Sequence, residues 1–236
     1  MATTHFTNGV SNQTVGNPLY DYPYLDPFKF YTYANDFFTY HADEWTITTT
    51  EGGSGNASEA LTSSAGGALL VTNDDADNDA DFFNLKGEGF KYDSTKRMFF
   101  KARFKVSDAT QSDIVMGLQI TDTTPLDVTD GIFFQKDDGD TNIDFHLEKN
   151  NSATSNAAVG TLADDTFITV AFAYDPNGNA GSGSFSVFVD DSKVAEQTTL
   201  TNVPDDEELT VSFGIQNGAA AAKTMTLDFI IAAVER

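Results

Sequence analysis

The chain has 236 residues, 40% of them hydrophobic, and sets 13 basic against 36 acidic residues for a formal charge of −23. That length supports one large core, and that apolar fraction excludes a disordered chain. The negative field repels nucleic-acid phosphates and anionic lipid heads, so neither nucleic acid nor membrane is expected as a partner. With no cysteine, thiolate metal sites and thiol redox chemistry are excluded.

Residues 1–27 differ from the rest. They hold Pro18, Pro23 and Pro27, which bar regular helix and favour extended or turn geometry. Phe6, Tyr20, Tyr22, Tyr24 and Leu25 make the segment too apolar for a solvated tail. Two readings stand: an extended arm lying across a surface, its own or a neighbour's, or a first strand of the domain. The opening lacks the basic region and apolar run of a signal peptide, so synthesis in the cytoplasm is expected.

From residue 28 onward the hydrophobic period is two. Trp45, in HADEWTIT, is a candidate platform for a sugar ring, set against the commoner core role of a lone Trp. The Gly/Ser/Ala-rich stretch 51–67 reads as a loop or weak edge strand, because the segments on both sides share one character and no domain boundary is needed. In NDDADNDAD, Asp75, Asp77, Asp79 and Asp81 alternate. An extended chain would space them about 6.6 Å apart on one face. Such a row suits a calcium ion by its oxygens, although Ala80 and Lys86 break the EF-hand pattern, and a solvated loop is the competing reading.

Farther on, Met98, Phe100, Ala102, Phe104 and Val106 fall on one face, with Arg97, Lys101, Arg103 and Lys105 on the other. The same alternation runs through Ile114/Met116/Leu118/Ile120, Ile143/Phe145/Leu147 and Ile168/Val170/Phe172/Tyr174. It continues in Phe185/Val187/Val189, Leu209/Val211/Phe213/Ile215 and Met225/Leu227/Phe229/Ile231. Half-buried antiparallel strands give this pattern, and turn pairs such as Asp138-Gly139 and Asn217-Gly218 punctuate it. The expectation is an all-β, antiparallel jelly-roll sandwich over residues 28–236, with the arm in front.

Within IDFHLE, the core-facing positions leave Asp144, His146 and Glu148 on the opposite face. The segment superficially resembles the Glu-x-Asp-x-Glu strand of laminarinase-like glycoside hydrolases, with Asp144 and His146 departing from it. A nucleophile one methylene shorter widens the carboxyl gap that a retaining pair needs. The three histidines, His5, His41 and His146, share no ligand spacing, and no phosphate-loop or nucleophile-elbow motif occurs. No catalytic residue is assigned, no cofactor beyond the calcium reading is implied, and the protein is not expected to be an enzyme.

The opening MATTHFTNGVSN resembles the start of structural proteins of marine tailed phages. DNDADFFNLKGEGF, RMFFKARFKV, DGIFFQKDDGD with IDFHLEKN, DDTFITVAFAYDPNG and SFSVFVDD are similar to the concanavalin A-like jelly roll found in several of them. The resemblance implies a capsid decoration (cement) protein on the virion surface. Its partners would be the major capsid protein and neighbouring copies of itself, as a homo-oligomer and naturally a trimer on local three-fold axes. The alternatives are a tail or fibre adhesin that binds host glycan, with Trp45, Asp144, His146 and Glu148 as carbohydrate contacts, and a degenerate glycoside hydrolase using Asp144 and Glu148.

Overall fold

The computed structural model describes residues 29–53 and 55–236. The N-terminal segment with Phe6, Tyr20, Tyr22, Tyr24 and Leu25 lies outside them, as does its boundary at residues 27 and 28.

Among the described residues, sixteen strands form in chain order. They begin β1 (Phe30–Asn35), β2 (Trp45–Thr50), β3 (Ser58–Leu61), β4 (Leu69–Thr72), β5 (Ala80–Leu85) and β6 (Phe90–Lys91). Next come β7 (Met98–Val106), β8 (Ser112–Gln119), β9 (Gly131–Lys136), β10 (Asn142–Lys149) and β11 (Ser152–Thr161). The last are β12 (Ile168–Asp175), β13 (Ser184–Val189), β14 (Ser192–Gln197), β15 (Glu208–Asn217) and β16 (Thr224–Glu235).

They pair antiparallel into two sheets of eight. Sheet one runs β14-β13-β12-β7-β16-β4-β3, with β1 beside β16, and sheet two runs β11-β10-β9-β8-β15-β5-β2, with β6 beside β15. The all-β sandwich expected from the period of two is what forms.

The alternating residues meet between the sheets. Met98, Phe100, Ala102, Phe104 and Val106 of β7 face Ile114, Met116 and Leu118 of β8 in one continuous core. Phe172 sits in its middle, its ring centroid 5.4 Å from Phe100, 5.5 Å from Phe145, 5.9 Å from Phe185 and 6.3 Å from Phe134. A second aromatic group, Trp45, Phe83 and Phe213, fills the β2–β5–β15 end, with Phe83 and Phe213 stacked at 4.6 Å.

Outer faces carry two smaller clusters that a strict period of two does not anticipate. Phe99, Ala171, Ala173 and Phe188 gather on sheet one, on the face of β7 that also bears its basic residues. Ala80, Phe82, Val115, Val128 and Phe133 gather on sheet two, where the β8–β9 loop lays Leu126 and Val128 over the strands. The Gln119 side chain donates to the Pro125 carbonyl at 2.9 Å and so ties that loop to the sheet. The basic row of β7 is spent on pairing: Arg97 with Glu235, Lys101 with Asp191, Arg103 with Asp228 and Lys105 with Asp165. Arg103 also lies 4.1 Å over the Phe167 ring. Such surface pairs, exposed or partly buried, are typically worth up to about 1 kcal/mol each, so they shape the surface more than they hold the fold.

Candidate functional site

Asp144, His146 and Glu148 do share the outward face of β10, because Ile143, Phe145 and Leu147 take the core side. Their environments differ. Opposite Asp144, β11 bulges between the partners of Ile143 and Phe145, and Ala158 adopts φ 53°. The Asp144 carboxylate accepts the Ala158 N–H at 2.7 Å and so braces that bulge. His146 lies flat on Phe133, with centroids 5.4 Å apart and planes 13° off parallel. Burial holds its imidazole below the ordinary value, so it is neutral at pH 7.

Glu148 is half-buried. Burial raises its carboxyl above the usual range, and Asp127 and Asp130 of the overlying loop raise it further. Since its folded value exceeds its unfolded one, ionised Glu148 costs stability. That cost is absent below the unfolded value, grows as pH rises through the two, and is complete above the folded value. Glu148→Gln is therefore expected to raise the melting midpoint at pH 7 by an increment that vanishes toward pH 4. A pH-independent change in differential scanning fluorimetry would refute this.

Trp45 does not join this face. It is 2% exposed, packed edge-on against Tyr33, Phe83 and Phe213, and its indole N–H finds no acceptor among the described residues. A sugar-stacking role for Trp45 is thereby corrected: the alternation of β2 sends Trp45 and Ile47 inward.

The carboxylate row is also rearranged. Residues 74–78 turn rather than extend, with Asn78 at φ 66° and the Asn217 side-chain amide donating to the carbonyls of Asp74 (2.7 Å) and Ala76 (2.9 Å). Asp75 and Asp77 are exposed on the turn, while Asp79 and Asp81 are fully buried. In place of one row, Asp79 meets Glu51 and Asp74, with a ligand oxygen from each within 4.8 Å of the others. Asp81 faces the interior, where Thr49 donates to it at 2.5 Å. Burial pushes its carboxyl up to about 7, against the Thr49 hydrogen bond and with help from Glu59 and Glu51.

A broad recess opens elsewhere, on the outer face of sheet one. It holds about 710 Å³ and runs over β13, flanked by β14, the start of β7, the end of β16 and the turn after β12. Ser184, Ser186 and Phe188 line it because Phe185 and Val187 take the core side of β13. Asp175, Asn177, Arg97 and Glu196 complete a wall of alternating donors and acceptors. Glu196 accepts from Ser184 at 2.8 Å and from Lys193 at 3.0 Å, and these bonds hold its carboxyl below the usual range. Across the 93–97 segment lies a smaller recess of about 360 Å³, with Tyr31, Tyr92, Asp93 and Lys96 on its walls.

Sequence reading did not find this groove. The alternation of Phe185, Val187 and Val189 leaves Ser184, Ser186 and Phe188 outward, but nothing local tells that β14 and β16 border them. Chemically the groove offers hydroxyl, amide, carboxylate and guanidinium groups around one ring edge, and its volume suits a small polar ligand.

No family model and no curated protein sequence matches the chain. Solved structures match by fold. An endo-1,3-beta-glucanase from Streptomyces sioyaensis is 11% identical with a TM-score of 0.60, over 87% of this chain and 96% of that one. A Bacteroides ovatus mixed-linkage-glucan GH16 protein in complex with product is 14% identical with a TM-score of 0.60, over 84% and 98%. Peanut lectin is 10% identical with a TM-score of 0.55, over 87% and 97%. The fold is therefore the concanavalin A-like jelly roll. The likeness lends no support to a virion or capsid role. One expectation is corrected: a non-enzymatic protein cannot be read from this chain, since the fold it shares is that of glucanases as much as of lectins.

Proposed function

We propose that this protein is a carbohydrate-binding, lectin-like module whose saccharide lies in the groove over β13. The observation that carries the reading is the groove itself: about 710 Å³ of polar-walled space with Asp175, Asn177, Ser184, Ser186 and Glu196 arranged along one strand and its rim. Sugar hydroxyls both donate and accept, so they match walls in which carboxylates, hydroxyls and an amide alternate. The neighbouring recess with Tyr31 extends the surface for a second residue of a chain. Solved neighbours that include a lectin and glucan-acting proteins add support of the fold kind only.

The test is a glycan array probed with the full chain, with and without calcium, followed by titration of the best oligosaccharide. Asn177→Ala and Glu196→Gln are expected to weaken binding at least about tenfold, or ~1.4 kcal/mol, without unfolding the sandwich. Silence on the array overturns the proposal. Binding that survives both changes but falls with His146→Ala moves the site to the outer face of sheet two. Release of reducing ends from the bound glycan, measured in the same samples, would add turnover to binding.

A further inference from the structure

We propose that Asn177, on the rim of the groove, is a site of spontaneous covalent modification: in the folded chain it deamidates to isoaspartate and aspartate, and so changes the groove wall with age. The chain holds three Asn-Gly pairs, at 8–9, 177–178 and 217–218, and the first lies outside the described residues. The chemistry is intramolecular. The Gly178 nitrogen bonds to the Asn177 Cγ, its proton leaves with the side-chain nitrogen as ammonia, and a cyclic succinimide closes. Water then opens the ring at either carbonyl, giving aspartate or an isoaspartate whose main chain runs through Cβ and Cγ. Water is the one co-reactant. Groups on the same chain react readily only where they are free to reach the attacking geometry.

The structure separates the two described pairs. Asn217 is fully buried. Its side-chain amide donates to the Asp74 and Ala76 carbonyls at 2.7 and 2.9 Å, and its side-chain oxygen accepts from Asn73 at 3.2 Å. The Gly218 N–H donates to the Gln111 carbonyl at 3.0 Å. Nucleophile and electrophile are both engaged, so attack there requires the end of β15 to open first. Asn177 is exposed, and its side chain makes no capping bond. Its backbone N–H donates to the Asp175 carboxylate at 2.9 Å, while among the described residues no acceptor takes the Gly178 N–H.

The groove itself dictates the vulnerable pair. A Cβ at position 178 would stand 2.3 Å from the Ser184 Oγ, so the turn packs on β13 with a glycine there, and glycine leaves its nitrogen unshielded. Just beyond, Asn179 and Ala180 take φ 46° and 55°, a conformation that costs L residues. Isoaspartate lengthens the main chain by a methylene beside that strain. Either product also adds a carboxylate to a wall that already holds Asp175 and Glu196, where like charges repel. On the saccharide reading of the groove, on which this consequence rests, ageing lowers affinity.

The experiment incubates the full chain in mildly alkaline buffer and follows both peptides by mass spectrometry, with fragmentation that tells isoaspartate from aspartate. Conversion at Asn177 should run at least about tenfold faster than at Asn217 in the folded chain, and the two rates should converge in urea. Equal rates in the folded chain overturn the proposal, as does a gap of the same size that persists in urea. Asn177→Gln lengthens the side chain and removes the favourable ring closure, so that peptide should stay unchanged. Titration with the best saccharide from the array reads the consequence: ageing should weaken binding by the unaltered chain and leave Asn177→Gln at its own unaged affinity. Absence of saccharide binding before ageing would sink the groove reading, while the mass measurement would still decide the deamidation.

Discussion

Phe172→Ala should destabilise the fold by about 3–5 kcal/mol, the range for removing a buried aromatic ring. Phe172 on β12 is fully buried, and it touches rings from both sheets: Phe100 and Phe185 on its own, Phe134 and Phe145 across the core. Truncation leaves a cavity that the four neighbouring strands β7, β9, β10 and β13 cannot close without shifting, because interior packing has little slack. In urea the transition midpoint should fall with the slope unchanged, which marks lost stability rather than an altered unfolded state. The melting midpoint should drop by roughly 10 °C at this chain length. Phe38→Ala is the control: that ring is 72% exposed, and its loss should stay within about 0.5 kcal/mol. A Phe172 cost below about 1 kcal/mol would mean that the ring cluster does not hold the two sheets together.

Gly117→Ala should cost about 1–3 kcal/mol or more, for the opposite reason. Gly117 is on the outward face of β8, directly opposite Phe133 of β9. A Cβ at this site would stand 2.5 Å from the Phe133 Cα and 2.6 Å from the Ile132 carbonyl oxygen. Those are backbone atoms of a paired strand, so relief requires β8 and β9 to part. Phe133 would then move too, loosening its stack on His146 and its contacts beneath the loop bearing Val128. Amide exchange should speed in β8 and β9 before it does in β12. Gly89→Ala, where an added Cβ meets nothing within 4 Å, should be near neutral. Equal stabilities for the two variants would contradict the close approach.

Much of the fold was legible in the residues. The alternation through Met98–Val106, Ile168–Tyr174 and Leu209–Ile215 names the core face of each strand, because successive side chains of an extended chain must point to opposite sides. The same rule placed Asp144, His146 and Glu148 on one outward face. Where the local signal was mixed, the reading failed: Phe99 interrupts the basic row of β7 because the outer face of sheet one has an apolar cluster of its own. The acidic run misled for a related reason. Its alternation is real in the sequence, but the Asn217 side chain, 143 residues away from Asp74, holds that segment in a turn.

The residues by themselves determined that this chain is an antiparallel sandwich and which side chains of each strand are buried, since both follow from a period of two acting locally. Only the tertiary structure decided which strands lie side by side, and with that where Glu51 meets Asp79 and where β14, β7 and β16 enclose a groove over β13. Strand order is set by long-range packing and loop closure, which leave no periodic trace in the segments they join.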